Sequence, residues 1–259
     1  MKVIILAAGK GKRLRPYTNK IPKCMVELAG NSLLSHQLSS IKKCNISRDD
    51  IALVGGYKME ALEEFNLKKF KNNKYSSTNM VSTLFCAREF MNHGENLIIS
   101  YGDIIYEEKV LRTILDCDSE ICVVADKEWE RLWRLRMSNP LDDAETFIMN
   151  DELLIKELGK KPISLSEIQA QYIGLIKIRG DMVSKFIDTY DQMNKSIDYD
   201  GQSFDNMYMT SFIQFLINVG WQVKASLIKN GWLEIDTTGD LKCYDQMAKD
   251  GSLNSYCQL

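Results

Sequence analysis

Residues 3–14 decide the fold, and their sequence is VIILAAGKGKRL. The apolar run from Val3 to Leu6 is typical of a buried strand, and a short loop with two glycines, Gly9 and Gly11, follows it directly. Glycine lets the backbone approach a ligand closely and adopt φ values that other residues resist. Successive backbone N–H groups in such a turn form a concave anion site. The stretch therefore predicts a phosphate site at the carboxyl end of the first strand.

Basic side chains in and after the loop support this interpretation. Lys10, Lys12 and Arg13 lie in the loop, and Lys23 follows a stiff segment between two prolines. Such groups form charge-assisted hydrogen bonds with phosphate oxygens. The P-loop motif is excluded because no Gly-Lys-Ser/Thr follows, and the dinucleotide motif is excluded because Leu14 stands where its third glycine belongs. We expect a nucleoside triphosphate bound by its phosphates; the alternative is a basic surface loop with turn glycines.

The composition is that of a globular protein without a nucleic-acid or membrane partner. The 259 residues are 45% hydrophobic, and 33 Lys+Arg against 35 Asp+Glu give a net charge of −2. Positive charge is therefore local to the loop, which favours a small anionic ligand over a polymer. The sequence contains no window of about twenty apolar residues, so it predicts no membrane span. The core strand predicted at the start argues against a signal peptide.

Cysteine and histidine usage excludes several kinds of site. Seven cysteines without a C-x-x-C pair predict reduced thiols and a cytoplasmic location. The two histidines, His36 and His93, are far apart, which disfavours a Ser–His triad or a His-based zinc site. The sequence predicts no particular oligomeric state.

Apolar strands alternate with helical segments along the chain. Such continuous apolar strands fit a parallel sheet that is covered on both faces. The pattern predicts an α/β, Rossmann-like, doubly wound fold with a mostly parallel sheet and a small β-hairpin lid. We expect one domain over residues 1–259, with a nucleotide-binding half at 1–126 and an acceptor-binding half at 127–259. The predicted segments are strands at 51–54, 97–101, 121–125 and 171–178, a hairpin at 145–149 and 153–158, and helices at 32–44, 80–90, 107–115, 181–190 and 204–219.

Residues 6–23 resemble the pattern L-[AG]-[AG]-G-x-G-[TS]-R-L-x-P-x-T-x-x-x-P-K of the nucleotidyltransferases that act on sugar phosphates and choline phosphate. Lys12 departs from the pattern, since the family usually has a small hydroxyl residue there. The resemblance implies the nucleotide-diphospho-sugar transferase fold and catalytic roles for Arg13 and Lys23. It implies nucleotide contacts by Leu6, Ala7, Ala8, Gly9, Gly11, Lys12, Arg13, Lys23 and Asp103.

Two aspartates at strand ends are candidate metal ligands. Asp103 follows an apolar strand, and Asp236 follows the strand-like run that begins at Trp232. The family has a G-D element and a W-x-[ED]-[IV]-[DN]-[TD] element at these places, and both are matched. Mg²⁺ takes few protein carboxylates and completes its shell with water and phosphate oxygens. We therefore expect Asp103 and Asp236 to hold Mg²⁺; the alternative is that they cap a helix or close a turn.

Recognition of the base is expected at a helix start. Asn79, Met80, Thr83 and Leu84 resemble the N-x-x-[ST]-[LM] stretch of bacterial choline-phosphate cytidylyltransferases. The resemblance implies that Asn79 and Thr83 bind the nucleotide and that this nucleotide is CTP. The alternative is an ordinary N-cap with Met80 and Leu84 as core contacts.

The acceptor is expected in the second half of the chain. Residues 129–145 contain tryptophans, arginines and carboxylates that could bind an ammonium and a phosphate, or else form a packed helix with solvated charges. Residues 167–175 resemble the family strand that places an acidic residue and a [YN]-x-G turn against the acceptor. The expected acceptor contacts are Arg136, Glu167, Gln169, Gly174 and Trp232.

The whole chain resembles a bacterial cytidylyltransferase of the choline-phosphate type. The resemblance implies that CTP and a phosphorylated acceptor of the phosphoglutamine, phosphocholine or phosphoethanolamine type give a CDP-linked product and pyrophosphate, in capsule or surface polysaccharide synthesis. Two alternatives stay open at this point. One is a sugar-1-phosphate nucleotidyltransferase, and the other is a non-catalytic nucleotide-binding regulatory subunit.

Overall fold

The computed structural model describes all residues from 1 to 259. Its main element is a seven-stranded sheet. The strands are β1 (Lys2–Ala7), β2 (Glu27–Leu28), β3 (Asn31–Ser32), β4 (Ile51–Gly55), β5 (Lys68–Lys71), β6 (Leu97–Tyr101), β7 (Ile104–Tyr106), β8 (Ile121–Asp126), β9 (Phe147–Met149), β10 (Ile155–Leu158), β11 (Gln171–Ile178), β12 (Asp198–Tyr199), β13 (Gln202–Ser203), β14 (Val223–Ile228) and β15 (Trp232–Glu234). The helices are α1 (Leu33–Lys43), α2 (Met80–Phe85), α3 (Glu108–Leu115), α4 (Trp129–Arg136), α5 (Val183–Gln192), α6 (Met209–Asn218) and α7 (Thr238–Asp250).

The strand order of the main sheet is β14-β8-β11-β6-β1-β4-β5. Every neighbouring pair is parallel except the two pairs of β11, which runs antiparallel to both β6 and β8. Because β11 is reversed, its first residues lie at the same edge as the carboxyl ends of the parallel strands. This confirms the predicted fold class, and ligands of such sheets bind at that edge.

Burial on both faces explains the continuous apolar strands. Val3 and Ile5 of β1 pack into one core, and Ile4 and Leu6 pack into the other, because successive side chains of a strand point to opposite faces. Helices α1, α3, α4 and α7 contribute to the first core, and α2, α5 and α6 contribute to the second. The predicted hairpin is confirmed as β9 and β10, which pair antiparallel.

A second, smaller pairing brings distant parts of the chain together at the ligand edge. Strand β15 pairs antiparallel with β7, so that Glu234 lies opposite Ile104. The backbone N–H of Ile235 donates to the carbonyl of Asp103 at 3.2 Å. This pairing places the residues after β15 beside those after β6.

Two predicted helices are shorter than expected. Helix α2 ends at Phe85, and a separate 3₁₀ turn follows at Arg88–Phe90. Helix α6 begins at Met209, because Met207 and Tyr208 are extended and separate it from a 3₁₀ turn at Phe204–Asn206. The carbonyls of residues 205 and 206 accept hydrogen bonds from Asn79 and Ser82 at the start of α2. The edge strands β5 and β14 and the helix α7 were not predicted.

The expectation of seven reduced cysteines is wrong for two of them. Cys117 and Cys122 form a disulfide between the end of α3 and the start of β8, where the short connection brings them together. The other five cysteines are free. None of the helices combines the length and the apolar character that crossing a membrane requires. The cytoplasmic location stays a prediction.

Candidate active site

The loop of residues 8–14, predicted to bind phosphates and called the phosphate loop, leaves the carboxyl end of β1 and folds back on itself. Gly11 has φ +55°, and a Cβ there would lie 2.9 Å from Cγ2 of Thr18, so glycine is required. The hydroxyl of Thr18 donates to the carbonyl of Gly11 at 2.7 Å and closes the turn. Gly9 has neither a left-handed φ nor a neighbour within 4 Å, so the argument from backbone conformation applies to Gly11 alone.

The two predicted catalytic residues meet the two predicted metal ligands. Nζ of Lys23 donates to Oδ2 of Asp103 at 2.6 Å and forms a further short hydrogen bond with Oδ1 of Asp236. Nη2 of Arg13 lies 3.0 Å from Oδ2 of Asp236. The lysine side chain is only 12% exposed, whereas the arginine side chain is 64% exposed. Lys23 therefore lies between the two carboxylates, and Arg13 extends from them toward solvent.

Three carboxylates at this point fit a divalent cation. Oxygens of Asp103, Glu234 and Asp236 lie within 4.8 Å of one another. Oδ1 of Asp103 is buried and has no hydrogen-bond partner, so it is available to a ligand. Hard divalent cations prefer an all-oxygen set of this kind. Glu234 was not predicted as a member, although its place two residues before Asp236 was a usable signal.

Local structure fixes Asp236 at the start of α7. The Asp240 carboxylate accepts from the backbone N–H groups of Asp236 and Thr237, at 3.0 and 2.8 Å, and the Thr237 side chain accepts from the Asp240 N–H in return. This reciprocal pair is a capping box. The guanidinium of Arg136, 3% exposed, lies 2.8 Å from Glu234 and 3.4 Å from Asp240. Arg136 therefore supports the carboxylate cluster from behind.

The charged groups of the cluster shift one another's pKa values. Burial alone would lower the pKa of Lys23, but Asp103, Asp236 and Glu234 outweigh it and hold that pKa above its usual value. Burial opposes ionisation of Asp236, yet Lys23, Arg13 and Arg136 lower its pKa. Burial and the neighbouring Asp236 raise the pKa of Glu234. An arrangement of paired, perturbed charges at a strand edge is typical of a functional site.

A first cavity, of about 150 Å³, opens beside the phosphate loop. We call it the base cavity; its lining includes the predicted residues Leu6, Ala8, Gly9, Asn79, Thr83 and Asp103. The hydroxyl of Thr83 accepts from Nδ2 of Asn72 at 2.9 Å and donates to the carbonyl of Asn79 at 3.0 Å, so its proton is already used and one lone pair is free. Oδ1 of Asn79 caps α2, and its Nδ2 donates to the carbonyl of Asn206.

A second cavity, of about 170 Å³, lies on the other side of the carboxylate cluster. We call it the acceptor cavity. It shares Met80 and Tyr101 with the base cavity, so the two spaces adjoin at one wall. Its remaining lining is formed by Trp133, Asp143, Glu145, Gln171, Tyr172, Ile173, Gly174, Tyr208, Met209, Thr210, Trp232, Glu234 and Asp236.

Two of the five predicted acceptor contacts line this cavity. Gly174 has φ +87°, and a Cβ there would lie 2.6 Å from the ring of Tyr101, so only glycine lets that ring pack here. The indole N–H of Trp232 already donates to Asp126 at 2.8 Å, so only the ring of this residue is free to contact a ligand. Both residues are therefore positioned to shape the cavity.

The structure does not bring the other three predicted contacts to the cavity. The Glu167 carboxylate accepts from the backbone N–H of Ile163 at 2.7 Å and caps a local turn. The side chain of Gln169 accepts from the N–H of Met149 at 2.6 Å and belongs to the hairpin. Arg136 is enclosed by its carboxylate partners. Tyr75 and Thr78 of the base cavity were not predicted, whereas Glu145 of the acceptor cavity ends the stretch 129–145 that was expected near the acceptor.

A phosphate loop, a carboxylate cluster and two adjoining cavities at the carboxyl edge of such a sheet define a nucleotidyltransferase. The sequence profile of the MobA-like NTP transferase domain matches residues 3–156, and the chain belongs to this family. The CTP:phosphoglutamine cytidylyltransferase of Campylobacter jejuni is 43% identical over 251 residues, which are 93% of this chain and 98% of that protein.

Solved structures of the same fold extend over nearly the whole chain. The inositol-1-phosphate CTP transferase of T. maritima matches with a TM-score of 0.74 at 20% identity and covers 96% of this chain and 95% of its own. The CTP:phosphocholine cytidylyltransferase of Streptococcus pneumoniae matches with a TM-score of 0.69 at 19% identity, over 95% of this chain and 98% of its own. At these identities the likeness shows the fold.

Proposed function

We propose that this protein is a Mg²⁺-dependent cytidylyltransferase that joins CTP to a small phosphorylated acceptor of the phosphoglutamine type. The observation that carries the proposal is the position of Lys23, Asp103 and Asp236 between the base cavity and the acceptor cavity. The near full-length similarity to the Campylobacter jejuni enzyme supports the choice of both substrates. A role in capsule or surface polysaccharide synthesis stays part of the proposal.

The reaction needs positioning and charge neutralisation more than proton transfer. An oxygen of the acceptor phosphate, already an anion, attacks the α-phosphorus of CTP in line. A new O–P bond forms, the bond between the α-phosphorus and its bridging oxygen breaks, and pyrophosphate leaves with that oxygen. The bond changes balance without a protein base, which agrees with the absence of histidine from the site.

Each residue of the cluster has a role in this scheme. Lys23 neutralises charge at the α-phosphoryl oxygens, and Arg13, the more exposed cation, contacts the β- and γ-phosphates. Asp103 and Asp236 would hold Mg²⁺, with Glu234 as the third nearby carboxylate. A bound Mg²⁺ supplies charge stabilisation at the transferred phosphate. Lys23 and Arg13 leave the carboxylates for the phosphates when the nucleotide binds.

The acceptor cavity favours a small amino-bearing compound over a hexose phosphate. Its volume of about 170 Å³ lies below the range of roughly 300–1,000 Å³ that is common for larger ligands. Methionine, isoleucine and tryptophan side chains form much of its wall. The charged side chains of the wall are four carboxylates, with no lysine, arginine or histidine, a set that suits an ammonium group.

A pyrophosphate-release screen tests the proposal. CTP, UTP, dTTP and ATP are each combined with phosphoglutamine, phosphocholine, phosphoethanolamine and glucose-1-phosphate in the presence of Mg²⁺. We expect CTP with an amino-bearing acceptor to give the highest kcat/KM, because a site that pairs with the C4 amine of cytosine leaves unpaired groups when the C4 carbonyl of uracil enters. Turnover of glucose-1-phosphate without any amino-bearing acceptor, or equal use of CTP and UTP, would contradict it.

A further inference from the structure

The acceptor cavity carries negative charge that the protein does not neutralise. Four carboxylates line it, and no lysine, arginine or histidine does. Glu234 and Asp236 pair with basic residues behind the wall, chiefly Arg136 and Lys23. Asp143 and Glu145 take part in no ion pair. Two acidic groups at a ligand cavity therefore lack a cation.

The backbone of Glu145 is anchored to the start of β11. Its N–H donates to Oε1 of Gln171 at 3.0 Å, and its carbonyl accepts from Nε2 of the same side chain at 3.2 Å. Burial raises the pKa of Glu145 to about 7, with repulsion from Asp143 and Asp200 adding to the effect. The residue is thus held at the wall although its charge is unfavourable there, which a bound cation would correct.

A second observation in the same cavity concerns an indole N–H. Trp133 is only 4% exposed, and its Nε1 has no hydrogen-bond partner. The neighbouring Trp232, by contrast, has its indole N–H paired with Asp126. Packing holds the Trp133 ring, because it makes contacts with the rings of Trp129 and Trp232 at centroid distances of 5.8 and 6.1 Å. A buried donor without a partner is rare in proteins. Because Trp133 lines the acceptor cavity, a ligand in that cavity is the partner that we consider for this N–H.

We propose that Glu145, assisted by Asp143, binds a primary ammonium group of the acceptor and that Trp133 donates a hydrogen bond to a carboxylate or carbonyl of the same molecule. The proposal rests on the proposed function and specifies its acceptor as a phosphorylated compound with an amino-acid-like end. A primary ammonium offers N–H donors to the carboxylates, whereas the quaternary ammonium of choline offers none. Phosphocholine would bring positive charge to the acidic pair but no hydrogen bond, and it would leave the indole N–H without an acceptor.

The test pairs protein variants with matched acceptors. Phosphoglutamine is compared with its analogue that lacks the α-amino group, in the wild type, in Glu145→Gln and in the control Glu152→Gln, which removes an exposed carboxylate from the hairpin turn. In the wild type and the control, loss of the amine should lower kcat/KM roughly 10²-fold, the range of a hydrogen bond to a charged group. In Glu145→Gln the two acceptors should differ by less than about 5-fold, with the KM for CTP unchanged.

A second variant tests the indole independently of the carboxylate. Trp133→Phe should lower kcat/KM for phosphoglutamine about 10-fold and leave that for phosphoethanolamine, which has no carboxylate, nearly unchanged. Full discrimination against the deaminated analogue in Glu145→Gln, or phosphocholine used as well as phosphoglutamine by the wild type, would overturn this assignment. Those results leave cytidylyl transfer itself standing, whereas the absence of CTP-dependent turnover with every amino-bearing acceptor would remove the proposed function.

Discussion

Lys23 is the residue on which the account of the chemistry depends most. Its ammonium lies between Asp103 and Asp236, close to the position that a divalent cation would take. The same side chain is needed at the α-phosphate, where negative charge grows in the transition state. One side chain is thus paired with the carboxylates in the structure and assigned to the α-phosphate in the proposed mechanism.

Replacement of Lys23 by alanine should therefore affect turnover more than nucleotide binding. We expect kcat to fall about 10²-fold or more, comparable to the loss of one preorganised donor at a developing oxyanion, with a much smaller rise in the KM for CTP. Steady-state kinetics measure both quantities. Lys42→Ala, which removes an exposed lysine of α1, serves as the control. Turnover near the wild-type rate in Lys23→Ala would exclude Lys23 from the mechanism.

Replacement of either aspartate should abolish activity, but the two variants should differ in their free energy of unfolding. Asp103→Asn removes one ion pair, whereas Asp236→Asn removes the partner of Lys23, Arg13 and Arg136. Both variants should lose nearly all activity, and Asp236→Asn should also lose about 1–3 kcal/mol of unfolding free energy, the usual cost of leaving buried charged groups short of a partner. Urea unfolding and a pyrophosphate assay check this. Activity retained by either variant would refute its role as a metal ligand.

At the scale of elements, β11 shapes both cavities through Gly174. The register between β11 and β8 shifts between Tyr172 and Ile176, and Gly174 lies in this irregularity with φ +87°. The missing side chain leaves room for the ring of Tyr101, which lines the base cavity and the acceptor cavity. One glycine thereby positions a wall that the two substrates share.

Gly174→Ala should weaken the binding of CTP and of the acceptor together. The new methyl group would lie 2.6 Å from the Tyr101 ring, so the ring must move, and the KM values for CTP and for the acceptor should both rise. Gly220→Ala is a matched control, because φ there is +95° but no atom lies within 4 Å of its Cβ. The control should lose only the backbone cost of about 1–2 kcal/mol. Equal effects of the two variants would contradict the role of Gly174.

Comparison of individual elements shows what the sequence could predict. Strands β1, β6 and β11 were predicted at nearly their observed bounds. In β1 and β6, burial on both faces leaves a nearly continuous apolar run, whereas Gly174 and Lys177 interrupt that of β11. Strand β5, with the sequence KKFK, lies at the sheet edge and buries only Phe70, so its pattern is weak. The antiparallel direction of β11 has no signature in its composition.

The residues of the candidate site likewise fall into those that the sequence could predict and those that it could not. Asp103 and Asp236 were predicted to meet, because both follow strands whose ends lie at one edge. The support of the cluster by Arg136 was not predicted, since its partners Glu234 and Asp240 are about a hundred residues away in sequence. Glu167 does not line the acceptor cavity, and its capping box with Ser164 is a local pattern that sequence can reveal.

Across the whole molecule, the acceptor cavity lowers stability in exchange for binding. Because the pKa of Glu145 is raised to about 7 from an ordinary 4.5, the folded protein keeps a proton that the unfolded chain has released over that interval. The contribution of Glu145 to stability is therefore fully present below about pH 4.5 and is lost as the pH rises through 7. Asp236, with its lowered pKa, has the opposite sign and loses its contribution only in acid.

Glu145→Gln should therefore stabilise the protein, and more so at higher pH. We expect the free energy of unfolding of the variant to exceed that of the wild type by about 2 kcal/mol at pH 8 and by little at pH 4.5, since some solvent access reduces the full effect of the shift. Urea denaturation at a series of pH values gives this difference. A difference independent of pH would show that Glu145 ionises normally in the folded protein.

The central claim is that Lys23, Asp103 and Asp236 form one reaction centre between the two substrates. The most direct measurement is a crystal structure with Mg²⁺ and a non-hydrolysable CTP analogue. The account predicts that oxygens of Asp103 and Asp236 coordinate the cation at about 2.1 Å or through one water, with Nζ of Lys23 moved onto the α-phosphate. A cation bound elsewhere, with Lys23 still held between the two carboxylates, would contradict it.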